Sequence, residues 1–209
     1  MADWTRRSFT SAGLTQIPPG PHLAALQNKY GGGTVMLCLD VSYSMDGKRL
    51  REAVRGARAF VLEAVAARYK VGVLLWASEV IGHSDPSPDG KAALRLLDGV
   101  KANGGTNLLP ALELTHQVLD RFKGDPDRVV AVFGDGDLGP RDRVLAEAAR
   151  MKAEDIRFVT RGLGRSAARR FAELASEQDA DVEVGGVDDL AVSIAGMATA
   201  LKGRRRPKK

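Results

Sequence analysis

Apolar runs of strand length alternate with helical patterns along most of this chain, from residue 34 to residue 201. The first apolar run, residues 34–39, precedes five apolar residues spaced four and three apart, as on the buried face of a helix: Leu50, Val54, Ala57, Val61 and Ala64. Such alternation is typical of a mostly parallel sheet that is covered by helices on both faces. The pattern therefore predicts a doubly wound α/β domain with three layers.

The same patterns place the other elements of this Rossmann-like sandwich. Further strands are predicted at residues 71–77, 128–133, 155–160 and 181–184. Residues 79–82, which follow a tight turn, predict one short antiparallel edge strand. Helices are predicted at residues 91–100, 109–122, 141–152, 166–176 and 187–201.

Two segments are predicted to lie outside the domain of residues 34–201. Residues 1–33 are an N-terminal extension that does not join the alternation: the prolines of residues 17–21 exclude a regular element there, a short helix is an option at residues 22–30, and three glycines lead into the first strand. Residues 202–209 are a basic tail with six positive charges, and without them the formal charge falls from +5 to −1. Such a tail either binds nucleic acid, an acidic partner or anionic lipid, or only keeps the chain soluble.

The first residues, the short apolar stretches and the single cysteine together point to the cytoplasm. Residues 1–7 include basic residues but no hydrophobic region follows them, so no signal peptide is predicted. The longest apolar stretches are much shorter than a membrane span. The single cysteine, Cys38, lies within an apolar run and is expected to be a small buried hydrophobe. The predicted localisation is therefore cytoplasmic.

A group of oxygen-bearing side chains follows the first predicted strand directly. Asp40, Ser42 and Ser44 are spaced two residues apart, and alternate residues of an extended segment point the same way. Carboxylate and hydroxyl oxygens suit a hard cation such as Mg²⁺. The alternative is a helix N-cap, in which Asp or Ser only satisfies the first amides of the next helix.

Two distant segments favour the metal site over the cap. Thr106 follows two glycines that let the backbone come close to a site, and Asp135 follows the strand predicted at 128–133. Ligands of doubly wound sheets bind beyond the carboxyl ends of the strands, where the strand order reverses. Oxygen ligands from three segments are therefore expected at one edge of the sheet.

This combination resembles the von Willebrand factor A (VWA) domain with a metal-ion-dependent adhesion site. The family's motif is Asp-x-Ser-x-Ser, a distant Thr, and an Asp in a Thr-Asp-Gly turn. The matching residues are Asp40, Ser42, Ser44, Thr106 and Asp135, and the resemblance covers roughly residues 34–201. In two departures from the motif, Gly134 replaces the usual Thr and Tyr43 occupies a position often held by Gly. Asp137 is a second carboxylate that competes with Asp135 for the assignment.

The resemblance implies a function in recognition without catalysis. It implies that Ser42, Ser44 and Thr106 contact the cation directly, while Asp40 and Asp135 hold it largely through water. The cation is expected to be Mg²⁺, with Mn²⁺ and Ca²⁺ as alternatives. A Glu or Asp of a partner protein would take its open position. Members of the intracellular bacterial type often act beside AAA-type ATPases of the MoxR kind, or in stress and defence assemblies.

Other classes of function find less support in the sequence. A Mg²⁺-dependent hydrolase or phosphoryl-transfer enzyme is the main rival, but there is no Gly-x-x-x-x-Gly-Lys-Ser/Thr loop. His22, His83 and His116 share no motif. His83, in a predicted loop, and His116, in a predicted helix, are interpreted as surface or packing residues. The glycines at 162 and 164 are interpreted as a structural turn rather than a dinucleotide site. Nucleic-acid binding rests on the tail of residues 202–209 alone.

Overall fold

The computed structural model describes residues 32–176, 183–184 and 186–201. Its centre is a six-stranded sheet with the strand order β3-β2-β1-β4-β5-β6. The strands are β1 (Thr34–Asp40), β2 (Lys70–Trp76), β3 (Val80–His83), β4 (Arg128–Gly134), β5 (Ile156–Leu163) and β6 (Glu183–Val184). All neighbours pair in parallel except β3, which pairs antiparallel with β2. The predicted fold class, including its one antiparallel edge strand, is confirmed.

Six α-helices connect and cover the described strands. They are α1 (Lys48–Ala66), α2 (Lys91–Leu96), α3 (Leu109–Asp120), α4 (Arg141–Ala153), α5 (Gly164–Ala172) and α6 (Leu190–Gly196). Short 3₁₀ helices span Tyr43–Met45, Val187–Asp189 and Met197–Leu201. Most of the predicted N-terminal extension, residues 1–31, lies outside the described residues, and so does the predicted basic tail. The same holds for residues 181 and 182, the first two of the strand predicted at 181–184.

Each face of the sheet has its own hydrophobic core. Alternate residues of β1 divide between them: Val35, Leu37 and Leu39 pack with α1, α2 and α6, whereas Met36 and Cys38 pack with α3, α4 and α5. Cys38 is fully buried 3.3 Å from the Thr115 hydroxyl, and burial raises the pKa of its thiol to about 12. Its expected role as a small neutral packing residue is confirmed.

Several predicted elements differ in length from the observed ones, and three of these differences have a visible cause. The helix predicted at 91–100 ends at Leu96, because the chain turns at Gly99, which has φ +68°. The helix predicted at 187–201 is instead α6 with a 3₁₀ helix on either side. The strand predicted to end at residue 160 continues to Leu163, since Gly162 and Leu163 pair with β6.

The strand order creates a crevice between β1 and β4. The chain leaves β1 toward β2 and β3 and later returns to place β4 on the other side of β1. The helical connections on the two sides therefore diverge beyond the carboxyl ends of β1 and β4, and this is where ligands of doubly wound sheets bind. Asp40 is the last residue of β1, and Asp135 follows directly after β4.

The opposite, amino edge of the sheet holds a dense polar network. Asp127 accepts hydrogen bonds from the Arg157 guanidinium on both carboxylate oxygens, at 3.3 and 2.8 Å. The Tyr69 hydroxyl lies 2.7 Å from Asp127 Oδ2 and 3.0 Å from the Leu201 carbonyl oxygen, so its proton is shared between them. Burial raises the pKa of Tyr69 well above its usual range, which keeps that proton in place. The network therefore holds the last described residue at the amino edge.

Candidate metal centre

The Asp40 carboxylate is buried at the carboxyl edge and only half satisfied. Its Oδ1 accepts a hydrogen bond of 2.8 Å from the Ser42 backbone amide. Its Oδ2 has no hydrogen-bond partner of ordinary geometry among the described residues, although the residue is 0% exposed. An unpaired carboxylate oxygen in such a place costs free energy unless a ligand or water meets it. Asp40 therefore has one buried carboxylate oxygen that a ligand or water could meet.

The pKa of Asp40 shows what its surroundings do to the negative charge. Burial raises this pKa from 3.8 to about 6, against the hydrogen bonds from Ser42, which lower it. The negative charge of Asp135 raises it further, and the Asp135 backbone amide lowers it a little. Asp135 therefore lies close enough to Asp40 for the two carboxylates to repel each other. A cation between them would offset both the free-energy cost of burying the Asp40 charge and the repulsion between the two carboxylates.

Ser42 and Ser44 meet through a turn rather than along a strand. Ser42 is extended (φ −60°, ψ 164°), but Tyr43–Met45 forms a 3₁₀ helix, so the predicted alternation along an extended segment is wrong for Ser44. The turn nevertheless brings the two hydroxyl oxygens to 2.9 Å from each other. Ser42 is buried and Ser44 is exposed, so the pair lies between the protein interior and the surface.

The alternative role of these side chains as helix caps is not what the structure shows. Ser42 precedes the 3₁₀ helix without a capping hydrogen bond from its side chain, and α1 begins after Gly47, which has no side chain to offer. The Ser42 and Ser44 hydroxyls bond to each other instead of to helix amides. The two hydroxyls are thus not committed to capping a helix, and a ligand would not have to displace them from helix amides.

Backbone hydrogen bonds tie the loop that carries Thr106 to the end of β1. The Asn103 amide donates to the Val41 carbonyl (2.8 Å), and the Tyr43 amide donates to the Gly104 carbonyl (3.1 Å). Gly104 has φ +62°, and a Cβ there would lie 2.7 Å from Ser78 Oγ, so a glycine is needed. Thr106 follows two residues later and is half-buried. The predicted loop therefore does lie beside the Asp-x-Ser-x-Ser segment.

Gly134, the departure from the usual Thr, has a steric explanation. A Cβ at this position would lie 2.8 Å from Asp40 Oδ2 and 3.0 Å from Phe171 Cζ. The glycine thus makes room for the Asp40 carboxylate on one side and the Phe171 ring on the other. Of the two neighbouring acids, Asp135 interacts with Asp40, whereas Asp137 is exposed and accepts a hydrogen bond of 3.0 Å from the Gly139 amide. This geometry favours Asp135 over Asp137.

Helix α5 supports the Asp135 loop in a way that sequence reasoning missed. The Arg170 guanidinium donates to the Gly136 carbonyl (3.0 Å). Gly136 has φ +108°, and a Cβ there would lie 2.4 Å from the Ala167 Cα. Gly162 packs against the same helix, which agrees with its predicted structural role. The sequence signal for these contacts was the apolar spacing of Ala167 and Phe171, which marks the buried face of α5.

A second group of metal-ligand types lies between α3 and α4. Ligand atoms of His116, Asp120 and Glu154 lie within 4.8 Å of one another. However, Lys123 Nζ is 3.2 Å from Asp120 and 3.6 Å from Glu154, and His116 Nδ1 is 2.6 Å from Glu147 Oε1. These contacts form an interhelical ion-pair network. His116 is buried, so of its two expected roles the one in packing applies.

Comparison with known proteins supports the resemblance at the level of fold and domain type. Residues 35–137, just under half of the chain, match the family model described as "von Willebrand factor type A domain". No curated protein matches the sequence significantly. The metal site and the intracellular type predicted from the sequence stay predictions.

Solved structures share the fold at low sequence identity. The vWF domain of the type V pili tip protein Mfa5 from Porphyromonas gingivalis has a TM-score of 0.73 at 12% identity, covering 86% of this chain and 98% of that one. A von Willebrand factor type A structure from Catenulispora acidiphila has a TM-score of 0.64 at 17% identity, covering 84% and 44%.

The pilus adhesin SpaC from Lactobacillus rhamnosus GG has a TM-score of 0.69 at 12% identity. The match covers 82% of this chain but only 30% of the adhesin, so this chain corresponds to one part of that larger protein. Within the described residues, no helix has the length and apolar character needed to cross a membrane.

Proposed function

We propose that residues 34–201 form a VWA domain that binds a partner protein through a divalent cation at the carboxyl edge of its sheet. The observation that carries this proposal is the buried Asp40 carboxylate, whose Oδ2 lacks a hydrogen-bond partner among the described residues. The hydroxyl pair of Ser42 and Ser44 follows it directly in the chain. These groups lie at the switch point of the strand order, where doubly wound folds bind ligands.

The donor set suits Mg²⁺, with Mn²⁺ and Ca²⁺ as alternatives, because every proposed ligand atom is an oxygen. We assign direct contact to the hydroxyls of Ser42, Ser44 and Thr106, and contact through water to Asp40 and Asp135. Neutral hydroxyls quench less of the charge of the cation than carboxylates do. The cation therefore keeps an affinity for one more anionic oxygen, which a Glu or Asp of a partner would supply.

The proposed role is binding, with no catalysis. Two of the structural relatives are named as a pilus adhesin and a pilus tip protein, and attachment is a task that a cation-centred docking site suits. For this chain we propose a cytoplasmic bacterial assembly, with an AAA-type ATPase of the MoxR kind as a candidate partner. This proposal rests on the resemblance to intracellular members of the family. Residues 202–209, the candidate nucleic-acid contact, lie outside the described residues.

Calorimetric titration of the full chain with Mg²⁺ and with Mn²⁺ tests the site. The wild type should bind one cation, and Asp40→Ala and Thr106→Ala should abolish the saturable heat while circular dichroism shows an intact fold. Asp137→Ala is the matched control, because it removes a carboxylate from the same loop as Asp135 but should leave binding unchanged. Equal binding by the wild type and Asp40→Ala would overturn the assignment.

A pull-down from a bacterial lysate with Mg²⁺ or with EDTA then tests the binding function. Partners that depend on the site should be recovered by the wild type in Mg²⁺ and lost with EDTA, Asp40→Ala or Thr106→Ala. Asp137→Ala should retain them. If the same proteins are recovered under all conditions, cation-centred partner binding is wrong even where the cation itself binds.

A further inference from the structure

A groove of about 520 Å³ opens beside the candidate metal centre, between the start of α1 and the segment after α2. Its apolar lining comes from Leu50, Val54, Leu97, Val100 and Ala102. The polar side chains of the lining, Tyr43, Asp46, Arg51 and Lys101, are all exposed and therefore form its rim. The groove thus has an apolar floor and a charged border.

Both walls of this groove continue directly into the segments that carry candidate ligands. Tyr43 lines the groove and lies between Ser42 and Ser44. On the other wall, Ala102 precedes Thr106 by four residues. The hydrogen bond from the Tyr43 amide to the Gly104 carbonyl joins the two walls. A partner residue bound to a cation at Ser42, Ser44 and Thr106 would therefore lie next to the groove.

The rim carries more positive than negative side chains, which suits an acidic partner segment. Arg51 and Lys101 outnumber Asp46 among its charged residues, and the Arg49 guanidinium donates to the Ser44 carbonyl nearby (3.0 Å). A bound cation would add two more positive charges. Tyr43 is 68% exposed, although aromatic side chains of this size are usually buried in a domain or in an interface.

We propose that the groove receives a large apolar or aromatic side chain from the same partner segment that supplies the acid to the cation. The proposal rests on the proposed function above and adds the second determinant of partner choice. The metal selects a carboxylate, and the groove selects its neighbour, so the recognised motif is an Asp or Glu close in sequence to a Phe, Trp, Leu or Ile. Apolar anchors in pockets next to a polar contact are the usual source of binding energy in interfaces.

The groove is better suited to a protein side chain than to a free small molecule. Small-molecule sites usually place a few polar groups so that they converge on the ligand inside the pocket. Here the polar side chains of the lining stand at the exposed rim, and the floor is apolar. An occupant with an apolar tip and a polar backbone matches this distribution.

A random-peptide display library, selected on the full chain in Mg²⁺ and eluted with EDTA, is the first test. The enriched peptides should carry an Asp or Glu with a large apolar residue within a few positions. A synthetic peptide of the enriched sequence is then measured by fluorescence anisotropy. Replacing its acid by Ala should abolish binding, and replacing its apolar residue by Ala should weaken binding about tenfold or more.

The variant Ala102→Phe is the second test, because it adds a ring to the lining of the groove and leaves every candidate ligand residue unchanged. It should weaken peptide binding about tenfold or more while calorimetric Mg²⁺ binding stays as in the wild type. Ala66→Phe is the matched control: it adds the same ring at an exposed position at the far end of α1 and should bind the peptide normally. The peptide variants carry the test independently if Ala102→Phe does not fold.

The outcomes separate this proposal from the proposed function. If Mg²⁺ binds and acidic peptides are enriched without any apolar preference, the groove proposal fails and the cation-centred function stands. Unchanged peptide affinity in a folded Ala102→Phe variant would likewise contradict the groove proposal and leave the cation-centred function standing. If peptides bind equally well in EDTA, or if the protein shows no Mg²⁺ binding at all, the proposed function fails and this proposal fails with it.

Discussion

At the amino edge of the sheet the carboxylates of Asp125 and Asp127 are bonded on both oxygens, whereas at the carboxyl edge Asp40 Oδ2 has no hydrogen-bond partner of ordinary geometry among the described residues. Asp125 receives Lys70 Nζ at 3.0 and 3.2 Å and the Thr34 hydroxyl, and Asp127 receives Arg157 and Tyr69. Paired carboxylates of this kind hold elements of the fold together. Asp40 is more deeply buried than either of them, at 0% exposed against 14% and 15% for the Asp125 and Asp127 side chains, yet one of its oxygens lacks such a partner among the described residues. This difference is the one expected between a structural cluster and a ligand-binding site.

The largest effect is expected from breaking the amino-edge network. Asp127→Asn would leave the Arg157 guanidinium, which is 5% exposed, facing a neutral amide, and should lower the free energy of unfolding by about 3 kcal/mol. Urea denaturation measures this loss. Asp142→Asn is the control, since its carboxylate is almost fully exposed and should change stability by less than about 0.5 kcal/mol. A loss below about 1 kcal/mol for Asp127→Asn would remove the contrast between the edges.

The same isosteric change at the carboxyl edge should have the opposite sign. In metal-free protein at pH 7.5, Asp40→Asn removes a buried charge that is repelled by Asp135, while its amide oxygen can still accept from the Ser42 amide. The free energy of unfolding should rise by about 1 kcal/mol, and Mg²⁺ affinity should fall about tenfold or more. Urea denaturation with and without Mg²⁺ measures both. A metal-free Asp40→Asn that is less stable than the wild type would mean that the Asp40 charge is already compensated.

The raised pKa of Asp40 predicts how pH acts on this edge. Between pH 4 and 6 the folded state holds a proton that the unfolded state has released, so the free energy of unfolding falls through this group as pH rises. The difference between metal-free wild type and Asp40→Asn isolates that contribution. Because the cation requires the ionised carboxylate, Mg²⁺ affinity should fall about tenfold per pH unit below about 6. Calorimetry at pH 7.5, 6 and 5 measures it, and a constant affinity would contradict the assignment.

The smallest effect on stability is expected at Ser44. Its hydroxyl is exposed and bonds only to Ser42 among the described side chains, so Ser44→Ala should change the free energy of unfolding by less than about 0.5 kcal/mol. Ser42→Ala should keep the fold as well, at a cost of about 1 kcal/mol because Ser42 is buried. Both should weaken Mg²⁺ binding in calorimetry, whereas the exposed Ser166→Ala should not. A loss of stability above about 2 kcal/mol for Ser44→Ala would make the hydroxyl structural.

The fold could be predicted because its signals are local. Strand-length apolar runs and helical spacing specify a covered parallel sheet whichever residues fill it, and the strand order then places Asp40 and Asp135 at one edge. The 3₁₀ turn at Tyr43–Met45 was missed because an Asp-x-Ser-x-Ser segment is equally compatible with a strand and a turn. The division of the last helix was missed for a similar reason, since its apolar spacing runs on past Gly196.

The contacts that support the candidate site could not be predicted, because they join residues far apart in the chain. Nothing in the sequence near Gly134 says that Asp40 and Phe171 occupy the space of its missing side chain. Likewise, the charge of Arg170 suggests solvent, and only the folded arrangement brings it to the Gly136 carbonyl. Close packing between distant elements decides such details, and a single sequence does not display it.

The amino-edge network fixes the position of Leu201, and this position determines which side of the domain lies nearest to anything attached after that residue. Tyr69 lies beside the Leu201 carbonyl there, while Asp40 is at the far end of β1. A strand of seven residues is about 23 Å long, so any anchor, tag or neighbouring domain joined after Leu201 leaves the molecule roughly that far from the candidate cation. Immobilisation through this end orients the candidate binding surface away from the support, which makes it the suitable geometry for surface-based affinity measurements.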